Sequence, residues 1–186
     1  MTTINNNLNI YMKVKLLSIL IISILANSFF FNPAQASNNE SITKAELIQL
    51  VVDTLNPSDI NNYSDCGIAG TDGIPQETAV CYAFAQEWID DSLLPFQPNF
   101  IIIRASATII FVHIFAPDYP IIGNNKPTGY SDVPTDTWYT DYIKAAVALK
   151  ITDIKPGKGA KFYPGEPLTK GRAQYWIKNI KKYLIK

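Results

Sequence analysis

The chain has 186 residues, of which 47% are hydrophobic, 17% charged and 12% aromatic, and its 16 basic and 16 acidic side chains cancel. That is enough apolar mass for one ordinary core or a short array of repeats, and the long polar tracts of a disordered chain are missing. Two cysteines exclude a multi-disulfide scaffold, and a single histidine, His113, argues against a His-rich metal site or a Ser–His or Cys–His catalytic pair.

Residues 1–36 read as a signal peptide. Lys13 and Lys15 form a short basic patch, an apolar run follows from Leu16 to Phe31, and Ala34-Gln35-Ala36 is a small-x-small cleavage triplet. Residues 1–11 add nothing to such a signal, which makes Met12 an alternative start. The alternative role is a retained anchor, but the apolar run is short for the ~20 residues that span a bilayer. Export gives meaning to Cys66 and Cys81: an oxidising compartment favours a disulfide between them, the alternative being two buried thiols.

The mature part repeats. Tyr63-Ser64-Asp65 recurs as Tyr130-Ser131-Asp132, and Phe96-Gln97-Pro98 recurs as Phe162-Tyr163-Pro164. Beyond each of those prolines comes a cation, Arg104 or Lys170, and then an apolar-periodic segment. A partial copy opens with Thr43-Lys44-Ala45-Glu46. The spacing predicts helices over Thr43–Leu55, Glu77–Asp90 and Arg104–Phe115, a fourth presenting Trp138, Tyr142, Ile143, Ala146 and Leu149 on one face, and a fifth over Lys170–Leu184. Thr43 and Glu46 are placed as a capping box, Thr169 as a cap, and Asp136-Thr137 as N-cap chemistry before the fourth helix. Asp65 and Asp132 read as turn or cap residues, and His113 as a core or interface histidine. The expected fold class is all-α, divided as 37–62 (second helix only), 63–118 and 119–186.

These residues resemble the S-layer homology domain family. The carriers are Tyr130-Ser131-Asp132-Val133 with Trp138 beyond, then Tyr142-Ile143 and Ala145-Ala146, then Phe162-Tyr163-Pro164 and Glu166-Pro167-Leu168-Thr169-Lys170-Gly171, while Thr43-Lys44-Ala45-Glu46 is similar to the family's Thr-Arg-Ala-Glu signature. The resemblance implies a pseudo-threefold bundle of helix-loop-helix repeats whose grooves hold anionic cell-wall polysaccharide and anchor the protein non-covalently to the envelope. An enzyme acting on wall material is the least favoured reading, since the sequence offers no nucleophile–base pair, metal cluster or Gly-rich phosphate loop, and no cofactor is expected. The middle copy departs from the signature as Ile103-Arg104-Ala105-Ser106, and the last copy has Arg172 where the signature has Glu.

Charge is polarised. Ser37 to Pro120 carries two basic against eleven acidic residues, and Ile121 to Lys186 carries twelve against five. A basic half favours anionic partners, or association between copies; export disfavours nucleic acid. The candidate glycan-binding residues are therefore Thr43, Lys44, Glu46, Arg104, Trp138, Thr169, Lys170 and Arg172. Lys44, Arg104 and Lys170 each stand at a helix start, where a cation opposes the dipole and so points to an anion nearby. The structural alternative is cover of apolar surface or pairing with an acid of a neighbouring repeat. Asp90-Asp91 are adjacent and point apart, a poor acid–base pair. The function these features favour is an envelope-binding module; the competing reading is an adaptor whose degenerate repeats bind other envelope proteins or copies of themselves.

Overall fold

The computed structural model describes residues 39–89, 95–121 and 127–185. The chain divides between Ala36 and Ser37, and the described residues all lie in the second unit, Ser37–Lys186. The signal-peptide reading and the pair Asp90-Asp91 lie outside the described residues. Among the described residues five α-helices follow one another: α1 (Lys44–Leu55), α2 (Glu77–Ala85), α3 (Arg104–Phe115), α4 (Thr140–Ala148) and α5 (Lys170–Tyr183), with a 3-10 turn at Ile60–Tyr63. Among the described residues there are isolated bridges but no strands, so the all-α expectation holds.

Helix starts follow local chemistry. Thr43 Oγ1 accepts from Glu46 N while Glu46 Oε2 accepts from Thr43 N, the anticipated capping box. Thr169 Oγ1 likewise accepts from Arg172 N. The start of α4 differs from expectation. Its N-cap is Tyr139, without a side-chain cap, and Thr140 Oγ1 instead donates to Pro134 O at 2.7 Å. That bond starts the helix at Thr140, leaving Trp138 outside it and 62% exposed rather than on the buried face. α2 ends at Ala85, short of Asp90, because Glu87 turns into the left-handed region at φ 58. α1 ends the same way at Asn56, φ 47, followed by Pro57, which cannot continue a helix.

A ring of backbone hydrogen bonds joins the segments that lead into α1, α3 and α5. Ile42 N donates to Leu168 O, Leu168 N to Ile102 O, and Ile102 N to Ile42 O, at 2.9, 2.8 and 3.1 Å. A second tier runs in the opposite sense: Lys44 N donates to Phe100 O, Arg104 N to Glu166 O, and Lys170 N to Glu40 O, at 2.8, 2.9 and 2.8 Å. The side chains at the centre, Ile42, Ile102 and Leu168, are at most 3% exposed. Three short segments, each too short for a strand, thus satisfy one another's buried backbone groups.

Helix pairs pack outside the ring, α1 on α2 and α3 on α4, with α1 also touching α5. The larger core gathers Leu47, Phe111, Ile143, Phe162, Leu168 and Trp176. Its aromatic centre has Trp176 6.0 Å from Phe111 and 6.2 Å from Phe162, ring to ring. A smaller core lies between α1 and α2, where Ala45, Ile48 and Val52 meet Ala79, Val80 and Ala83. At the corresponding turns α3 carries buried Ala105, Thr108 and Val112, whereas α5 carries Gly171, Gln174 and Lys178, the last two exposed.

Asp132 holds the long loop between α4 and α5. Its Oδ1 accepts from Phe162 N and its Oδ2 from Tyr163 N, both at 2.8 Å. Asp65 makes a local turn instead, accepting from Gly67 N, beside the disulfide Cys66–Cys81. Both aspartates are thus turn residues, as expected. Gly129 takes φ +85 and a Cβ there would sit 2.7 Å from Pro156 Cβ, so the loop closes only over a glycine. His113 is exposed on the outer face of α3, not in a core; the turn after buried Val112 faces solvent, and the helix C-terminus favours a residue able to carry positive charge.

Candidate functional site

The ring places three cations alike. Lys44, Arg104 and Lys170 are each the first residue of a helix, and each donates its backbone N–H to the neighbouring segment. Two kinds of position decide the charge at each corner. One is the residue whose carbonyl accepts that N–H: Phe100, Glu166 or Glu40. The other lies two residues into the helix on the next segment round the ring: Ser106 for Lys44, Arg172 for Arg104, and Glu46 for Lys170.

The Lys170 corner is internally neutralised. Lys170 Nζ lies 2.8 Å from Glu46 Oε1 and 3.1 Å from Glu40 Oε2. Burial alone would raise the Glu46 carboxyl, but the hydrogen bonds from Lys170 and from the Thr43 backbone outweigh it and hold the group below its usual range. The same contacts, Glu46 first and then Glu40, raise Lys170. Here the structural alternative for the cation, pairing with an acid of a neighbouring segment, describes what is found.

The Arg104 corner is the opposite case. Arg104 is only 9% exposed. Its Nη1 donates to Phe162 O at 3.0 Å, its Nη2 meets Glu166 Oε2 at 2.9 Å, and its guanidinium lies 5.5 Å from the Tyr163 ring centre. Its Nε is buried with no hydrogen-bond partner. Where the Lys170 corner has the Glu46 carboxylate, this one has the guanidinium of Arg172, 3.6 Å from Asp153 through Nε. Burial lowers the Arg104 pKa, and the charge of Arg172 lowers it further against the pull of Glu166 and Asp153. This corner therefore gathers two guanidinium groups and two carboxylates, with one buried N–H of Arg104 left without a partner.

At the third corner Lys44 Nζ lies 5.0 Å from the centre of the Phe96 ring. The remaining candidates separate. Thr43 and Thr169 are engaged as helix caps. Trp138 packs edge-on against Tyr139 at 5.1 Å. The structure therefore joins Thr43, Glu46 and Lys170 in one corner and Arg104 with Arg172 in another. Sequence reasoning missed Glu40, Glu166 and Asp153. The signal for two of them was present: Glu40 and Glu166 each stand four residues before a corner cation, as Phe100 does before Arg104. Among the described residues no group of His, Cys, Asp or Glu is placed to hold a metal ion.

The loop-and-helix stretch built around Asp132, Phe162 and the start of α5 has a known counterpart: residues 129–171 match the family model of the S-layer homology domain. The match covers less than half of the chain. It opens at Gly129, takes in Trp138, α4, the Asp132-held loop and the Lys170 corner, and ends one residue before Arg172. Domains of this family are in general cell-surface attachment modules. No curated protein matches this chain.

Proposed function

We propose that this chain is an exported, envelope-associated binding module that attaches non-covalently to anionic cell-wall polysaccharide, with the Arg104–Arg172 corner as its principal anion contact. The observation that carries the reading is the buried, unpartnered Arg104 Nε beside Arg172, at the place where the Lys170 corner keeps a carboxylate of its own. A sugar carboxylate or ketal acid there would stand where the Lys170 corner has the Glu46 carboxylate. On this reading Lys170, Glu46, Thr43 and Thr169 hold the ring together. Lys44 and Trp138 are secondary contacts, and export follows from a signal peptide over residues 1–36.

The same proposal extends the repeat beyond residues 129–171, with units at 37–62, 63–118 and 119–186 about a pseudo-threefold axis. Cyclic hydrogen bonding of Ile42, Ile102 and Leu168 supports it.

The test is co-sedimentation with purified, protein-free wall polysaccharide at low salt. Arg172→Gln should weaken binding by about tenfold, the loss of one charge-assisted contact, and Lys170→Gln should change it little. Protein left in the supernatant at low salt, or an Arg172→Gln variant that binds like the parent, would overturn the reading. A second reading, self-association through the acidic first half and basic second half, is favoured by the charge division alone. It requires concentration-dependent sedimentation that salt abolishes.

A further inference from the structure

The last unit carries a cleft that none of the foregoing uses. Tyr175, Asn179 and Tyr183 recur every fourth residue of α5 and so share one face of it. Opposite them runs the segment after α4, with Lys150, Asp153 and Lys155. Between the two lies an open cavity of about 310 Å³, in the range of small-ligand sites.

Its chemistry is specific. Tyr175 and Tyr183 are 49% and 40% exposed, and their positions are about 12 Å apart along the helix axis. Two amphipathic rings at that spacing present flat apolar faces with polar edges, a surface suited to successive sugar rings. Asp153 does not cancel the lysines, because its carboxylate is already engaged: Oδ1 accepts from Trp176 Nε1 at 2.7 Å and Oδ2 faces Arg172 Nε at 3.6 Å. Lys150 Nζ stands 5.1 Å from the Tyr183 ring centre, and Lys182 Nζ 4.9 Å from it. The cleft is therefore aromatic and cationic.

The fold does not require this composition. In the middle unit the positions corresponding to Lys150, Tyr175 and Asn179 hold Glu87, Ile109 and His113. Lys150 and Glu87 have the same left-handed backbone, φ 60 and 58, so the same turn is built with opposite charge. Only the last unit combines the turn with two lysines and two tyrosines.

We infer that this cleft is a second ligand site, separate from the ring corners, which takes a short acidic oligosaccharide by stacking on Tyr175 and Tyr183 and pairing its carboxylates with Lys150 and Lys155. The inference stands independently of the Arg104–Arg172 reading.

The experiment is titration of the isotope-labelled chain with trigalacturonate and, separately, with neutral maltotriose, followed by amide chemical shifts. Trigalacturonate should move the amides of Lys150, Lys155, Tyr175, Asn179 and Tyr183. Lys155→Gln and Tyr175→Ala, both at exposed positions, should each weaken it about fivefold or more. Shifts confined to Arg104, Glu166 and Arg172, no shifts at about 5 mM ligand, or equal affinity for maltotriose would overturn the proposal. Shift mapping keeps the two sites apart: loss of wall-polysaccharide binding with an intact trigalacturonate response would sink the corner reading and leave this one standing.

Discussion

Lys170 Nζ lies 2.8 Å from Glu46 Oε1, so the first residue of the last helix is tied to the first turn of the first one. The same carboxylate closes the capping box of α1 through its other oxygen, 2.9 Å from Thr43 N. One side chain thus serves a local structure and a contact between distant parts of the chain.

That double role gives a pH signature. The Glu46 carboxyl is held below its ordinary value of 4.5, so its contribution is present above that value and is lost as pH falls through the lower folded-state value. Lys170 is raised above 10.5, so its share is present below that value and is lost as pH rises through the higher folded-state one. Glu46→Gln should lower the melting temperature by about 2–3 °C at neutral pH. Between about pH 5 and about pH 3 the parent should lose more stability than the variant. Parallel pH profiles for the two proteins would show that the pair contributes nothing.

Asp132 governs the approach to α5 by accepting two backbone N–H groups, from Phe162 and Tyr163. Asp132→Ala leaves both donors without their partner and should cost about 2–4 kcal/mol in urea unfolding. The buried Phe162 ring, 5.4 Å from Tyr130, depends on that anchor, so near-ultraviolet dichroism should change as well.

The Cys66–Cys81 bridge closes a 15-residue separation that begins just after Asp65 and runs through the lead-in into α2. On the loop-entropy model its removal by a double Cys→Ser substitution costs about 3 kcal/mol. Amide exchange should rise mainly in residues 64–76, while protection of Ile42, Ile102 and Leu168 changes only with global stability. Loss of protection at the ring itself would contradict this division.

Trp176 is fully buried and donates Nε1–H to Asp153 at 2.7 Å. Trp176→Phe keeps most of the packing but removes the donor and leaves a small void. A cost of about 2–3 kcal/mol is expected, measurable by chemical denaturation. Because Asp153 also faces Arg172, the variant should alter the salt dependence of glycan binding too.

Several corner positions were readable before any tertiary contact was known. Thr43 and Glu46 announce a capping box by spacing alone, and Thr169 announces a cap, because these bonds lie within one helical turn. Lys44, Arg104 and Lys170 align because the repeat aligns them. Trp138 and His113 were misjudged for one reason: apolar periodicity does not say where a helix begins or which of its turns meets a neighbour. Thr140 bonding back to Pro134 O settles the first question for α4. The outward placement of His113 on α3 settles the second.

Residue order alone therefore determined the five helices in outline, the Thr43 and Thr169 caps and the equivalence of the three cations, since each depends on neighbours in the chain or on likeness between copies. Tertiary structure decided which acid meets which cation. Ring closure carries Glu40 and Glu46 to Lys170, and Glu166 and Arg172 to the neighbourhood of Arg104, across separations that no local rule spans. The direction in which Lys44, Arg104 and Lys170 pass their backbone N–H groups to Phe100, Glu166 and Glu40 sets those pairings. Reversing that direction would exchange each cation's partners while leaving every helix in place.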